Sequence, residues 1–177
     1  MESILKILVV DDNQNNRKAA EAQLSDYNLT VLGTYDEALK ILGYLPYDIR
    51  IDKNHGFDVV LLDLLMPPGL KEVCPNDGSE QPVGMFLAIL AAMNGAKHVG
   101  LLTDGGHHAH PMIAALESIT DAAIKINRAI VRFQMTCLED YNPIDMSTPL
   151  TYDQWDSPNK VRAKDWKSFL DELLETN

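Results

Sequence analysis

Two kinds of apolar pattern alternate along the chain up to about residue 119, and together they predict a layered α/β domain. Short continuous runs of Val, Ile and Leu are typical of strands that are covered on both faces. Such runs occupy residues 4–10, 29–35, 57–65 and 98–103. Segments of helical character lie at residues 14–26, 36–45, 84–94 and 111–119. Strands that alternate with helices favour right-handed crossovers and a parallel sheet wrapped on both faces.

Two neighbouring segments compete for the place of the fifth strand. Residues 122–126 form a short apolar run, whereas residues 129–136 alternate apolar and polar side chains. Strict alternation is typical of a strand with one face less buried. We therefore favour residues 129–136 as the fifth strand and expect it at the edge of the sheet.

Two stretches rich in proline or aspartate interrupt the alternation of strands and helices. Residues 66–83 hold four of the nine prolines, and residues 139–162 have a similar composition. We predict a long loop in both places, and loops longer than about 12–15 residues are often functional. A helix with an apolar stripe is predicted at about 163–175. The expected organisation is one domain over residues 1–177.

The charge balance narrows the classes of partner. The chain has 15 Lys and Arg against 26 Asp and Glu, a formal net charge of −11 at pH 7. Such a chain repels phosphate backbones and anionic lipid, so we expect neither nucleic acid nor a membrane as a partner. The two cysteines, Cys74 and Cys137, lack C-x-x-C spacing and fit a reduced cytoplasmic compartment. We also expect no signal peptide, because the first apolar run is short and soon followed by acidic residues. We expect no membrane span, because no apolar run approaches 18 residues.

Acidic residues stand at the ends of two predicted strands. Asp11 and Asp12 follow the first strand, and Asp63 lies near the end of the third. The carboxyl ends of parallel strands share one edge, where open α/β sheets bind their ligands. Three carboxylates at this edge would repel one another, and Mg²⁺ is the usual remedy. Thr103 ends the fourth strand at the same edge, where its hydroxyl could bond an oxygen of a phosphoryl group.

Three motifs in this order resemble the receiver domain of two-component response regulators. They are KILVVDDN, FDVVLLDLLMPP and VGLLT, and the resemblance covers about residues 4–119. It implies a flavodoxin-like three-layer sandwich with a five-stranded parallel sheet in the order 2-1-3-4-5. The chain would then be a single receiver-like domain with two long loops and a C-terminal helix.

The resemblance also implies a role for each site residue. Asp63 would accept a phosphoryl group, and Thr103 would supply the switch hydroxyl. The basic residue would be Lys125, although Lys125 cannot reach the site if residues 129–136 are the fifth strand. At the implied Mg²⁺ site, Asp12 and Asp63 would bind the ion directly, Asp11 would act through a water molecule, and Leu65 would offer its backbone carbonyl.

A histidine-rich run, TDGGHHAHP, follows the fourth strand. Crowded imidazoles ligate Zn²⁺ or a similar ion, which makes this run a possible second site. Its candidate ligands are Asp104, His107, His108 and His110. The alternative is a polar loop whose histidines cap the next helix or face solvent.

These observations favour a stand-alone receiver-type signalling module. A histidine kinase or phosphotransfer protein would phosphorylate Asp63 with Mg²⁺ bound, and the output would be contact with a downstream protein. Such a protein accepts a phosphoryl group and is not an enzyme with turnover. Two alternatives stay open. One is a pseudo-receiver that is regulated by binding without phosphorylation. The other is a metal-dependent phosphatase or hydrolase that uses Asp63 with His107, His108 and His110.

Overall fold

The computed structural model describes residues 4–43, 55–69, 80–104, 110–120, 122–136, 138–151, 154 and 159–176. The strands of its main sheet are β1 (Lys6–Val10), β2 (Asn28–Leu32), β3 (Val59–Leu62), β4 (His98–Thr103), β5 (Ala123–Ile126) and β6 (Ala129–Met135). Their spatial order is β2-β1-β3-β4-β6-β5. The pairs from β2 to β6 are parallel, whereas β5 pairs antiparallel with β6. The main sheet is therefore six-stranded and mixed.

Helices cover both faces of the main sheet. Within the described ranges they are α1 (Gln14–Gln23), α2 (Tyr35–Ile41), α3 (Gly84–Met93), α4 (Pro111–Glu117) and α5 (Trp166–Glu175). Successive residues of a strand point to opposite faces. Ile7 and Val9 accordingly join a buried cluster with α1 and α5, while Leu8 and Val10 join one with α2, α3 and α4. None of these helices is both long enough and apolar enough to cross a membrane.

Side-chain caps define where four of the helices begin, with His110 as the cap of α4. The side chain of Asn13 accepts a hydrogen bond from the backbone N–H of Asn15 and starts α1 directly after the acidic pair. Thr34 starts α2 in the same way, and Asp165 starts α5. Such caps satisfy backbone donors that have no partner inside the helix. They therefore help to fix α1 and α5 at the ends nearest to the site described below.

A second, smaller sheet packs beside α1. Its strands are β7 (Glu139–Asn142), β8 (Asp145–Pro149) and β9 (Val161–Ala163), arranged antiparallel in the order β8-β7-β9. Tyr141, Met146 and Ala163 are buried in the cluster that contains α1 and α5. We call these three strands together with α5 the C-terminal unit. It brings the connection between β9 and α5 to the carboxyl edge of the main sheet.

The predicted flavodoxin-like, five-stranded, all-parallel sheet is wrong. Both segments that competed for the fifth place are strands, and they pair antiparallel as a hairpin. The hairpin turns at Asn127, whose φ of 55° is left-handed, a conformation that Asn tolerates better than most residues. Residues 129–135 lie beside β4 but not at the edge, because β5 occupies that position. The separate three-stranded sheet is a further departure from the predicted fold.

The alternation along β6 has a different cause from the expected exposure at an edge. Val131 and Phe133 are buried in the core beneath α3 and α4. The opposite face faces the end of α5, where Arg132 donates a hydrogen bond to the backbone oxygen of Glu172 and pairs with its carboxylate at 3.2 Å. Polar positions in this strand therefore mark a charged contact between elements.

The two predicted loops differ in outcome. The prediction of a loop over residues 139–162 is wrong, because β7, β8 and part of β9 lie there. The other predicted loop covers residues 66–83. Residues near its two ends lie side by side, because Met66 and Gln81 exchange two backbone hydrogen bonds of 3.0 Å. Residues 70–79 of it lie outside the described residues. The C-terminal helix begins at Trp166 instead of about residue 163, because residues up to Ala163 belong to β9.

Candidate functional site

Three aspartates meet at the carboxyl ends of β1 and β3. The backbone N–H of Asp63 donates to the Val10 carbonyl at 2.8 Å, and that of Asp11 donates to the Leu32 carbonyl at 3.1 Å. The sheet ladder thus continues into the first residue after each strand and holds both side chains at one edge. One carboxylate oxygen from each of Asp11, Asp12 and Asp63 lies within 4.8 Å of the others. We call these three residues the acid cluster.

A buried lysine from the C-terminal unit contacts the acid cluster. The Nζ of Lys164 lies 2.8 Å from Oδ2 of Asp11 and 2.9 Å from Oδ1 of Asp63. Lys164 is completely buried, as is Asp11, and Asp63 is 6 % exposed. Lys164 Nζ also lies 5.4 Å from the centroid of the Trp166 ring. The acid cluster therefore has a cation of its own, from a segment far away in sequence.

Sequence analysis missed Lys164. The residue lies in the segment AKDWKSFLDELLE, which was predicted to be a C-terminal helix with an apolar stripe. It follows β9 directly and precedes the Asp165 cap of α5. Neither a motif nor a spacing relates it to the acids, which lie 153 positions away in the case of Asp11. Only the packing of the C-terminal unit reveals the contact.

Lys125 does not reach the acid cluster. It is exposed on β5 and pairs with Ile130, which in turn pairs with His98 at the amino end of β4. Thr103 marks the other end of β4, five residues away, or about 16 Å at the rise of a strand. The assignment of Lys125 as the basic residue is therefore wrong, because the hairpin places it at the opposite end of the sheet.

Polar side chains of α1 hold the acid cluster in place. Nδ2 of Asn16 donates to both carboxylate oxygens of Asp11, at 3.2 and 3.0 Å. The guanidinium of Arg17 donates to the backbone carbonyls of Asp11 and Asp12, at 2.9 and 2.7 Å. These bonds fix the side chain of Asp11 and the backbone of both acidic residues after β1.

The electrostatics of the acid cluster show an excess of negative charge. Burial raises the pKa of Asp63 to about 7 against the opposing pull of Lys164, and Asp11 and Asp104 add to the rise. Burial likewise raises the pKa of Asp12, with Asp11 as the next contributor. Burial acts to lower the pKa of Lys164, but the carboxylates of Asp63 and Asp11 outweigh it and raise that pKa. Lys164 therefore stays charged without fully neutralising its neighbours.

The acid cluster opens into a cleft of about 310 Å³, which we call the acid cleft. Its lining residues are Asp12, Asn13, Asn16, Asp63, Leu65, Glu80 and Asp104. Burial raises the pKa of Glu80, and the nearby carboxylates of Asp12 and Asp104 raise it further. Thr103 is buried at the end of β4, one residue before Asp104. The acid cleft thus presents four carboxylates to any ligand.

The donor set fits a hard divalent cation. Opposite ligands of Mg²⁺ at 2.0–2.1 Å are about 4.2 Å apart, so oxygens within 4.8 Å need only small movements. In the part of the chain that the structure describes, this group consists of carboxylates alone, which suits Mg²⁺ better than Zn²⁺. Asp11, Asp12 and Asp63 would hold the ion, and Leu65 lies at the same cleft.

A glycine beneath Asp63 is a second feature that sequence analysis missed. A Cβ at Gly84 would lie 2.0 Å from the backbone oxygen of Asp63, far inside van der Waals contact. The absence of a side chain lets the start of α3 approach the chain just after β3, where the Gly84 N–H donates to the Leu64 carbonyl. Gly84 therefore helps to set the position of Asp63 at the edge of the sheet.

The histidine-rich run does not form a described metal site. Nδ1 of His110 accepts a hydrogen bond from the Met112 N–H at 3.0 Å and caps α4. His107 and His108 lie outside the described residues. Asp104 is exposed and lines the acid cleft. For His110, the capping alternative is the one that the geometry supports.

Comparisons of the chain with protein-family models, curated proteins and solved structures found no match.

Proposed function

We propose that this protein is a receiver-type phosphoacceptor that signals by protein contact. A histidine kinase or phosphotransfer protein donates the phosphoryl group, Asp63 accepts it, and the acid cluster binds Mg²⁺ during the transfer. The observation that supports this proposal is the meeting of Asp11, Asp12 and Asp63 at one cleft, with the ammonium of Lys164 against Asp63. A cytoplasmic location belongs to the same proposal.

The proposed reaction is the formation of an acyl phosphate. A carboxylate oxygen of Asp63 attacks phosphorus, the bond from phosphorus to the donor imidazole nitrogen breaks, and the imidazole leaves. Because Lys164 holds Oδ1 of Asp63 at 2.9 Å, we expect Oδ2 to attack. Mg²⁺ supplies positive charge that offsets the repulsion between the carboxylates and the incoming anion.

Lys164 has two roles in this proposal. Before transfer it stabilises the ionised form of Asp63, which is the nucleophilic form. After transfer its ammonium lies beside the added negative charge. One lysine does not offset Asp11, Asp12, Asp63, Glu80 and Asp104 together, so we expect transfer to depend strictly on a divalent cation.

Labelling with a small phosphodonor tests the proposal. The intact protein is incubated with acetyl phosphate and Mg²⁺ and weighed by mass spectrometry. We expect a gain of one phosphoryl group that is lost in EDTA, lost in Asp63→Asn and retained in the exposed control Asp26→Asn. Absence of the gain under all conditions, or its persistence in Asp63→Asn, would refute the assignment.

A pseudo-receiver is the second candidate, and the same lysine favours it. Lys164 already forms buried ion pairs with Asp11 and Asp63, so the acid cluster has internal compensation without a ligand. Mg²⁺ binding by calorimetry without any labelling by acetyl phosphate would support this candidate. The hydrolase alternative has no such support among the described residues, because the ring of His110 serves as a helix cap.

A further inference from the structure

One side chain joins the acid cluster to the C-terminal unit. Asn16 on α1 is 1 % exposed. Its Nδ2 donates to both oxygens of Asp11, and its Oδ1 accepts from the backbone N–H of Lys164 at 3.1 Å. Its backbone carbonyl accepts from Nε1 of Trp166 at 2.9 Å. The side-chain amide of Asn16 therefore binds Asp11 through its nitrogen and the C-terminal unit through its oxygen. The backbone carbonyl of Asn16 binds the C-terminal unit as well.

The chemistry of these contacts requires an amide. The Nδ2 end faces a carboxylate and must donate, while the Oδ1 end faces a backbone N–H and must accept. A carboxylate at this position would still accept from Lys164 N, but it would repel Asp11. An apolar side chain would leave the buried Asp11 oxygens and the buried N–H without these partners. Asn16 is therefore matched to both neighbours at once.

Lys164 depends on this contact for the position of its ammonium. Its backbone N–H is held by Asn16, its carbonyl accepts from Nε2 of Gln23 at 3.2 Å, and its Nζ reaches Asp11 and Asp63. Gln23 also accepts from the N–H of Trp166 at 2.7 Å. The main chain on both sides of Lys164 is thus tied to α1, which also carries Asn16.

We infer that Asn16 is a positioning residue that sets Asp11 and Lys164 in one arrangement, and thereby makes the C-terminal unit part of the acid site. The inference rests on the proposed function for its effect on phosphoryl transfer. Asn16 does not touch the reacting atoms. It acts through Asp11, a ligand in the proposed Mg²⁺ site, and through Lys164, the cation beside Asp63.

The test is Asn16→Asp, which exchanges the donating end of the side chain for a second acceptor. We expect labelling by acetyl phosphate at saturating Mg²⁺ to slow at least tenfold, because Lys164 is drawn away from Asp63. We expect the Mg²⁺ dissociation constant from calorimetry to stay within threefold or to decrease, because a carboxylate is added beside the cation. A residue with a merely structural role would weaken both properties together.

The matched control is Gln14→Glu, the same amide-to-acid change at an exposed position in the first turn of α1. We expect less than a twofold change in both properties. If Asn16→Asp behaves like Gln14→Glu, or if it weakens Mg²⁺ binding as much as labelling, the inference is overturned. Should Asn16→Asp fail to fold, Asn16→Ser replaces it: labelling should slow at least tenfold, and labelling at the wild-type rate would overturn the inference.

A measurement without a phosphodonor separates this inference from the proposed function. Acetic anhydride acetylates accessible lysines, and peptide mass spectrometry compares Lys164 with the exposed Lys125. We expect Lys164 to be protected in the wild type and at least tenfold more reactive in Asn16→Asp, with circular dichroism unchanged. Failure of wild-type labelling alone would refute the proposed function. Unchanged protection of Lys164 in Asn16→Asp would refute the positioning role.

Discussion

The carboxyl edge of the main sheet and the C-terminal unit contribute opposite charges to one site. The edge provides Asp11 and Asp63 from the ends of β1 and β3, which are parallel neighbours in the main sheet. The C-terminal unit provides Lys164 from a connection that reaches the edge across α1. Without the C-terminal unit, Asp11 and Asp63 would lose the ammonium that pairs with them. Without the carboxyl edge, Lys164 would lose both of its carboxylate partners. Folding of the C-terminal unit and the charge state of the acid cluster are therefore coupled.

The largest expected effect comes from removing the cation that joins the two regions. Lys164→Met leaves Asp11 and Asp63 buried without their ion pairs, and breaking such a pair from one side costs about 3–5 kcal/mol. Urea unfolding at pH 7.5 measures the loss. Lys125→Met is the matched control and should stay within about 0.5 kcal/mol, because Lys125 is exposed. Similar losses in the two variants would contradict the comparison.

The second prediction concerns the dependence of stability on pH. The folded-state pKa of Asp63 is raised from 3.8 to about 7, so folding favours the protonated carboxyl. This contribution is present below pH 3.8 and is lost as the pH rises to about 7, with a ceiling of about 4 kcal/mol. Relative to the wild type, Asp63→Asn should therefore become more stable as the pH rises from 4 to 8.

Urea unfolding at several pH values, with EDTA present, measures this difference. Addition of Mg²⁺ at pH 8 should restore much of the lost stability to the wild type and little to Asp63→Asn. A constant difference between the two proteins from pH 4 to pH 8 would show that the Asp63 carboxyl does not have the raised pKa.

A third prediction perturbs the carboxyl edge without changing any charge. Gly84→Ala places a methyl group against the backbone oxygen of Asp63, so the chain that carries this residue must shift. We expect a loss of about 1–3 kcal/mol in unfolding free energy. Mg²⁺ affinity should fall as well, because Asp63 moves relative to Asp12. Unchanged stability and calorimetry would contradict the close approach of α3 to Asp63.

The fourth prediction tests how α5, in the C-terminal unit, packs against the main sheet. A Cβ at Gly100 in β4 would lie 2.4 Å from Cε1 of Phe169 in α5. Gly100→Ala should cost about 1–3 kcal/mol, and Phe169→Leu in the same chain should recover part of it. A double-mutant cycle measures the coupling, which we expect to be at least 0.5 kcal/mol. Additive effects of the two substitutions would show that α5 does not rest on Gly100.

The difference between the two regions also explains what sequence alone could predict. Asp11 and Asp63 each stand beside a buried apolar run, and parallel pairing then brings strand ends together, so local pattern suffices to place them. β7 and β8 contain few apolar residues, and only Tyr141 and Met146 are buried from them, so their pattern does not differ from that of a loop. Lys164 depends on how those strands pack, which no local pattern encodes.

The hairpin of β5 and β6 shows a second limit. Alternation in β6 correctly identified the strand beside β4, but its polar face was attributed to an edge. The face instead meets Glu172 of α5, a contact between residues 40 positions apart in the chain. The alternating pattern predicts that one face of the strand is polar, but it does not predict whether solvent or another element contacts that face.

The backbone pairing of Met66 with Gln81 has a consequence for protein engineering. Their two hydrogen bonds hold the ends of the intervening stretch together. Met66 is adjacent to Leu65, and Gln81 lies three residues before Gly84. The entropic cost of closing a flexible loop rises by only about 0.6 kcal/mol for each doubling of its length. A fluorescent reporter or a recognition tag inserted between Met66 and Gln81 should therefore leave the acid cluster folded, because the paired ends hold the chain next to Leu65 and Gly84.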